Sequence, residues 1–378
     1  MGHRHRPARR TFDRLGKFER CRAFSVDEAG KVAKFLAMKY NKIVDTINKK
    51  RSLGQFFTKN DFWLQKHILE FIKSTNSKIA VDPFAGNGDL LRVAKSIGFK
   101  KTIGFDIDES RLWKINDSLL GIPQIKNSII ITNPPYLTNY SAKRKGIYEN
   151  VAKYFANCHY DDLYQLAMEK CLENDFGVMI IPETFINSNF PKNRLVSITI
   201  IEDQLFADTE NPVCVICFDG KNKSYDKIKV YKNSIFLGDL EHFEQMRKIP
   251  RKNISIKFNT PAGQIALRAV DTTDPKRPIS FMRTDEIDYD VANVKHSSRL
   301  ITFIELNIED NLIEDLIKLS NDLLTDFRGK SNDVLLSPFK GNKKNGERRR
   351  RLDYSTARAI LENACEVVDP RPKLFNFN

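Results

Sequence analysis

The chain has 378 residues, 41% hydrophobic and 10% aromatic, so it is long enough for two cored domains and too apolar to be wholly disordered. Its 62 Lys and Arg outweigh 48 Asp and Glu, for a formal net charge of +14, which points to a polyanionic partner. No apolar run approaches the roughly 18 residues of a membrane span, no apolar core follows the basic N-terminus to make a secretory signal, and six scattered cysteines read as reduced intracellular thiols.

Residues 1–22 carry eight Arg and Lys against two acids. The stretch Ser25–Lys50 then reads as a helix: Ser25 and Glu28 make a capping box, and Val32, Phe35, Leu36, Tyr40, Ile43, Val44 and Ile47 recur at helical spacing. From Gly54 to Gly220 short apolar runs alternate with amphipathic segments. The strand candidates are 78–81, 102–105, 128–132, 177–181, 197–201 and 213–218; helical patterns lie at 61–74, 88–96, 110–116 and 161–173. That order predicts an α/β fold, a doubly wound and largely parallel sheet, closed by an antiparallel hairpin at one edge where the last two strands lack an intervening helix. After Gly220 the regularity fades into short β-like runs, such as 227–231 and 300–304, and one helix at 308–324. Residues 328–351 hold nine basic residues against two acids, including Arg348 to Arg351 in succession, and the segment is expected to meet phosphate. The chain is thus divided into a basic helical extension (1–53), a catalytic domain (54–220) and a smaller basic α+β domain (221–378).

Three motifs carry chemistry. Asp82-Pro83-Phe84-Ala85-Gly86-Asn87-Gly88 follows a strand and opens a helix, where glycines let the backbone approach a ligand. Asp106 ends the next strand, 24 residues after Asp82, at the spacing of an acid that grips ribose hydroxyls. Two carboxylates would repel a pyrophosphate and suit the sulfonium and amino group of S-adenosylmethionine. Asp117, where a third strand should end, is either an acceptor for the cofactor's adenine amino group or a surface loop acid. The third motif is Asn133-Pro134-Pro135-Tyr136, directly after the apolar run 128–132. The amino group of a nucleic-acid base is a poor nucleophile because its lone pair is delocalised into the ring. The Asn133 amide oxygen and the Pro134 carbonyl offer two acceptors that pull this nitrogen toward tetrahedral geometry. The two prolines stiffen the loop without adding a donor, and Tyr136 offers a flat face. Cys214 and Cys217 form a C-x-x-C, but inside a β-like run they point to opposite faces, which favours a buried strand over a metal or redox site.

These residues resemble one family, the class I S-adenosylmethionine-dependent DNA amino-methyltransferases of the N6-adenine type. Gly54-Gln55-Phe56-Phe57-Thr58 looks like the family's leading element, which closes over the methionine part of the cofactor. Asp82 to Gly88 looks like its D-P-x-x-G-x-G loop, Asp106 its ribose acid, and Asn133 to Tyr136 its catalytic tetrad. The motif order is similar to the γ class of restriction-modification enzymes, and the likeness covers roughly residues 54–220. It implies a Rossmann-like methyltransferase sheet followed by a domain that reads DNA. It also implies a cofactor set of Gln55, Phe57, Thr58, Asp82, Pro83, Phe84, Gly86, Gly88, Asp106, Ile107, Asp117 and Ser118, with no metal. Asn133 favours adenine over cytosine, and a flipped-out base would stack on Tyr136 and Phe206. The implied partners are double-stranded DNA and, functionally, a cognate restriction endonuclease. A cytoplasmic monomer with no membrane association is expected, in a bacterial or viral setting. Alternatives that share the tetrad are an RNA amino-methyltransferase and a protein-glutamine methyltransferase. A nucleic-acid-binding protein with a decayed catalytic domain is a third.

Overall fold

The computed structural model describes residues 61–370 apart from 157, 204, 206–210 and 288–300, all within one compact unit, Ser52–Asn378. The helix expected at Ser25–Lys50, and Gln55, Phe57, Thr58 and Phe206, lie outside the described residues.

The chain runs α1 (Lys66–Ser74), β1 (Ile79–Asp82), α2 (Asp89–Ser96), β2 (Lys101–Asp106), β3 (Lys114–Ile115) and β4 (Ser128–Thr132). Three helices follow, α3 (Asn139–Arg144), α4 (Tyr148–Phe155) and α5 (Leu163–Leu172), then β5 (Phe176–Pro182), β6 (Leu195–Ile201), β7 (Val213–Asp219), β8 (Lys229–Lys232) and β9 (Ile235–Asp239). These strands form one sheet in the order β3-β2-β1-β4-β5-β7-β6-β8-β9. It is parallel from β3 to β5, and β7 then runs antiparallel to both β5 and β6. The β6–β7 hairpin is present but is not an edge: β8 adds parallel to β6, and β9 pairs beyond it. The sheet therefore continues to Asp239, past the Gly220 where the sequence pattern loses its regularity.

Strict alternation along the strands explains why both faces are covered. Ile129, Ile131, Val178, Ile180, Val215 and Cys217 pack with α1 and α2, whereas Ile130, Met179, Ile181, Cys214, Ile216 and Phe218 face the side of α5. Cys214 and Cys217, both fully buried, lie on opposite faces as their spacing requires. The second face is not covered by α5 alone. Its core runs on into a four-stranded antiparallel sheet, in the order β10 (Ile256–Phe258), β13 (Ile301–Leu306), β11 (Ile265–Arg268), β12 (Ser280–Arg283). α6 (Leu240–Met246) leads into that region; α7 (Ile313–Ser331), the hairpin β14 (Ser337–Asn342)–β15 (Arg348–Arg351) and α8 (Tyr354–Val368) complete it.

Two expectations need correction. Residues 110–116 are not a helix: Asp108 accepts from the Ser110 amide and hydroxyl in a turn, and the chain passes through bends into β3. The basic run is also only partly available to phosphate. On β15, Arg348 and Arg350 are buried; Arg348 donates to the carbonyls of Ile201 and Glu202, and Arg350 pairs with buried Glu183. Arg328 and Lys343 are held by Asp271, with Asp333 and Glu347 as their second partners. Among the described residues no helix is long and apolar enough to cross a membrane.

Candidate active site

In this sheet the winding reverses between β1 and β4, and open α/β sheets bind ligands at the carboxyl ends of strands on either side of such a switch. The ends of those two strands are Asp82 and, one residue after Thr132, Asn133. A cleft opens there, lined by Asp82, Pro83, Phe84, Gly86, Asp106, Ile107, Asp117, Ser118, Asn133 and Pro135 among others. The expected cofactor residues from Asp82 to Ser118 thus converge, Gly88 excepted, which stands behind the loop as the N-cap of α2.

The loop after β1 is held by backbone geometry. Gly86 (φ 51°) and Gly88 (φ 75°) adopt the left-handed conformation that only glycine enters without strain. Asp106 fastens the loop from below: its Oδ2 accepts the Gly86 amide at 2.8 Å, while its Oδ1 accepts the Asp108 amide at 2.8 Å. Trp113 completes the clamp. Its indole N–H donates to the Gly86 carbonyl at 2.9 Å, and its ring lies so close to Gly88 and Gly104 that a Cβ on either would stand 2.5 Å from it. Sequence reading took this tryptophan for part of a helix and assigned it no role.

Asp82 is buried, and its Oδ1 accepts from the Thr132 hydroxyl at 2.6 Å and the Phe84 amide at 3.1 Å. Burial pushes its carboxyl up to about 7; the two hydrogen bonds oppose this, and the charges of Asp106 and Asp89 add to it. A cationic ligand would favour the ionised form. The lining between these acids is apolar: Phe84, Ile107, Leu119, Val151 and Leu163. The donor set therefore fits a cation attached to a flat, largely apolar body.

Asp117 is not a solitary loop acid. Its Oδ2 takes the Lys153 ammonium at 2.8 Å and the Tyr154 hydroxyl at 2.9 Å, both from α4. The Asp117 contact raises the Lys153 pKa, while burial is the larger cause for Tyr154. Asn116 buttresses this corner, donating from Nδ2 to Ser118 Oγ and to the Gly121 carbonyl. Sequence reading missed Asn116, Asn150, Lys153 and Tyr154. The signal was present for α4, since Val151, Tyr154 and Phe155 stand at helical spacing and are buried.

Within the tetrad, Asn133 and Pro135 line the cleft and Pro134 is buried. The Pro134 carbonyl accepts from no donor among the described residues. Tyr136 stands behind the wall, packed against the cores on both sheet faces, and burial holds its phenol pKa well above the ordinary value. Its hydroxyl meets two oxygens, the Ile180 carbonyl at 2.8 Å and Asn133 Oδ1. The chain beyond is pinned: the Leu163 amide donates to the Leu137 carbonyl at 3.1 Å and the Asn139 amide to the Asp161 carbonyl at 2.8 Å.

No family model matches the chain, and no curated protein does. Solved structures do, at low identity. One is a modification subunit assigned to a type I restriction enzyme from Vibrio vulnificus YJ016 (15% identity, 56% of this chain, 53% of that one, TM-score 0.35). Another is the methyltransferase subunit of a type I restriction-modification system from Streptococcus thermophilus (15% identity, 47% of each chain, TM-score 0.35). A third, from Listeria monocytogenes, is assigned as a class I S-adenosylmethionine-dependent methyltransferase (11% identity, 46% of this chain, 65% of that one, TM-score 0.34). The chain covers less than two thirds of each of them. These likenesses are too distant to carry an inference about activity.

Proposed function

We propose that this chain is an S-adenosylmethionine-dependent methyltransferase that modifies the exocyclic N6 of adenine in duplex DNA. The observation that carries this reading is the placement of Asn133. It leaves the carboxyl end of β4 on the wall of the cleft that Asp82 and Asp106 also line, and the neighbouring Pro134 carbonyl has no donor among the described residues. Asp82 would hold the cofactor's cationic end, Asp106 its ribose, and the Asp117 corner its adenine edge. When bound, the cofactor supplies a methyl group activated by the sulfonium.

The protein's own residues have a geometric task. A base inside a duplex hides its amino group, so the adenine is flipped out to reach an enclosed site. The Asn133 amide oxygen and the Pro134 carbonyl would accept hydrogen bonds from its two N–H groups, which draws the lone pair onto nitrogen and aims it; transfer would release the demethylated cofactor as a thioether and one amino proton to solvent. The Tyr136 hydroxyl has one proton for two oxygens, the Ile180 carbonyl and Asn133 Oδ1, and so ties the tetrad to β5. Tyr136, packed behind the cleft wall, would hold the tetrad in place through its hydroxyl rather than stack on the base, and Phe206 would be left to stack there and repay about 1–3 kcal/mol of the unstacking cost. The region after Gly220 would read the DNA sequence. The reading includes an intracellular monomer and, as a functional partner, a restriction endonuclease of the same specificity.

Incubation with methyl-labelled cofactor and random duplex DNA, matched RNA, or protein, followed by nucleoside analysis, tests this. N6-methyladenine from duplex DNA is the expected product. Label confined to RNA or to glutamine, or no transfer, overturns the proposal.

A further inference from the structure

The tetrad passes directly into a small helical hairpin. Thr138 caps α3 by accepting the Ser141 amide at 3.0 Å. Ala142 on α3 and Val151, Tyr154 and Phe155 on α4 face inward, packing with Leu163 and Ala167 of α5. The outer face is different. Tyr140 is 66% exposed, and Lys143 and Arg144 are exposed too.

Exposed cations at a helix end usually mean nothing more than solvation, favoured by the helix dipole. Two observations separate this pair from that case. First, other cations at the carboxyl ends of the strands are neutralised. Lys153 pairs with Asp117 and Arg247 with Glu244, and Arg350 of the arginine run is buried on Glu183. Neither Lys143 nor Arg144 has a carboxylate within 4.0 Å among the described residues. Second, both are held against rings. Arg144 lies over Tyr140, its i,i+4 neighbour, at 6.0 Å from the ring centre, and Lys143 over Tyr148, across the Gly146 turn (φ 67°), at 4.9 Å. Aromatic faces orient a cation while leaving its N–H donors unneutralised. The base of α3 is pinned to 161–163, and only five residues, a reach of at most about 22 Å, separate Asn133 from Asn139.

We propose that the outer face of α3, formed by Tyr140, Lys143 and Arg144, binds the phosphate backbone of the nucleic acid that flanks the base presented to Asn133. This rests on the reading of the cleft as a nucleic-acid methyltransferase site. It supplies what the inward-facing Arg348 and Arg350 do not, an exposed cationic surface close to Asn133 in the chain.

The test uses the full chain, S-adenosylhomocysteine and a fluorescein-labelled 30-base-pair duplex, with affinity read by anisotropy from 0.05 to 0.4 M salt. Lys143→Ala/Arg144→Ala should lower the slope of log Kd against log salt by about 1.8, and raise Kd at 0.1 M salt by on the order of tenfold or more. Cofactor affinity and melting temperature should stay at wild-type values. Lys143→Arg/Arg144→Lys, which keeps the charges, should restore most of the slope. An unchanged slope in the alanine variant, beside a wild type that methylates duplex DNA, sinks the surface and leaves the substrate reading intact. A wild type that binds RNA instead, with the slope still lowered in the variant, keeps the surface and sinks the substrate reading. No salt-dependent binding to either overturns both.

Discussion

The Thr132 hydroxyl donates to Asp82 at 2.6 Å, tying together the ends of the two strands that flank the winding reversal. The bond favours the ionised carboxylate, yet burial outweighs it and leaves Asp82 titrating at about 7. A cationic cofactor selects the ionised form, so its affinity should rise with pH and level off above about 7. Below that pH each unit should weaken binding by up to about tenfold, the limit for one coupled proton. Calorimetric titration between pH 5.5 and 8.5 checks this, and a flat profile in the wild type would remove Asp82 from cofactor binding. The sign for stability is opposite. Asp82 has a folded-state value above its ordinary 3.8, so its contribution is full below 3.8 and lost as pH rises through about 7. Asp82→Asn should therefore raise the melting temperature of the ligand-free protein at pH 8 while weakening the cofactor.

Asn133→Ala should lower turnover about 10²–10³-fold, the usual scale for losing one preorganised hydrogen-bonding group. The dissociation constant for the cofactor should change by less than about twofold on the same argument, because the amide acts on the incoming amino group. Single-turnover methylation beside equilibrium binding separates the two quantities. Tyr136→Phe keeps the ring but frees Asn133 and Ile180 from the shared hydroxyl. It should retain base flipping, read with 2-aminopurine at the target position, and lose part of the rate.

At the cofactor loop, Gly104→Ala would set a methyl 2.5 Å from the Trp113 ring and 2.9 Å from Ala85 Cβ. Overpacking of this kind costs about 1–3 kcal/mol. Denaturant unfolding should show that loss, with weaker cofactor binding as the ring is pushed off the Gly86 carbonyl. Trp113→Ala on the same background should recover stability but not affinity. Recovery of both would mean that the indole fills space without positioning the loop.

Much of this architecture is legible in the chain. The strands at 128–132 and 213–218 are runs of apolar residues that no surface could accommodate, and the glycines of the Asp82–Gly88 loop mark a turn whatever surrounds them. Residues 110–116 mislead because Leu112 and Ile115 mimic a helical stripe, yet both are exposed, and the Trp113 ring instead fills the space left by two distant glycines. The roles of Lys153 and Tyr154 depend on a fold that brings α4 over Asp117, 36 and 37 residues away in sequence. The arginine run misleads for a related reason. Alternation along β15 turns Arg348 and Arg350 inward, and the acceptors that make this tolerable come from 146 to 167 residues earlier.

Glu183 and Arg350 are both 1% exposed, so removing either partner strands a buried charge. Arg350→Met or Glu183→Gln alone should cost about 3–5 kcal/mol, whereas Glu183→Met/Arg350→Met should cost less than either. Urea unfolding of the three variants checks the ordering. A double variant as unstable as the sum of the singles would show that the two residues act independently.

That same pair constrains how the chain can be cut and rejoined. Glu183 sits in the short turn leaving β5, a strand of the nine-stranded sheet, and its counter-ion arrives from much later in the chain on β15. Grafting a foreign C-terminal half onto this N-terminal half would import an unmatched partner at the seam. A working chimaera must carry both ends of the bridge together, or first replace it with a neutral contact.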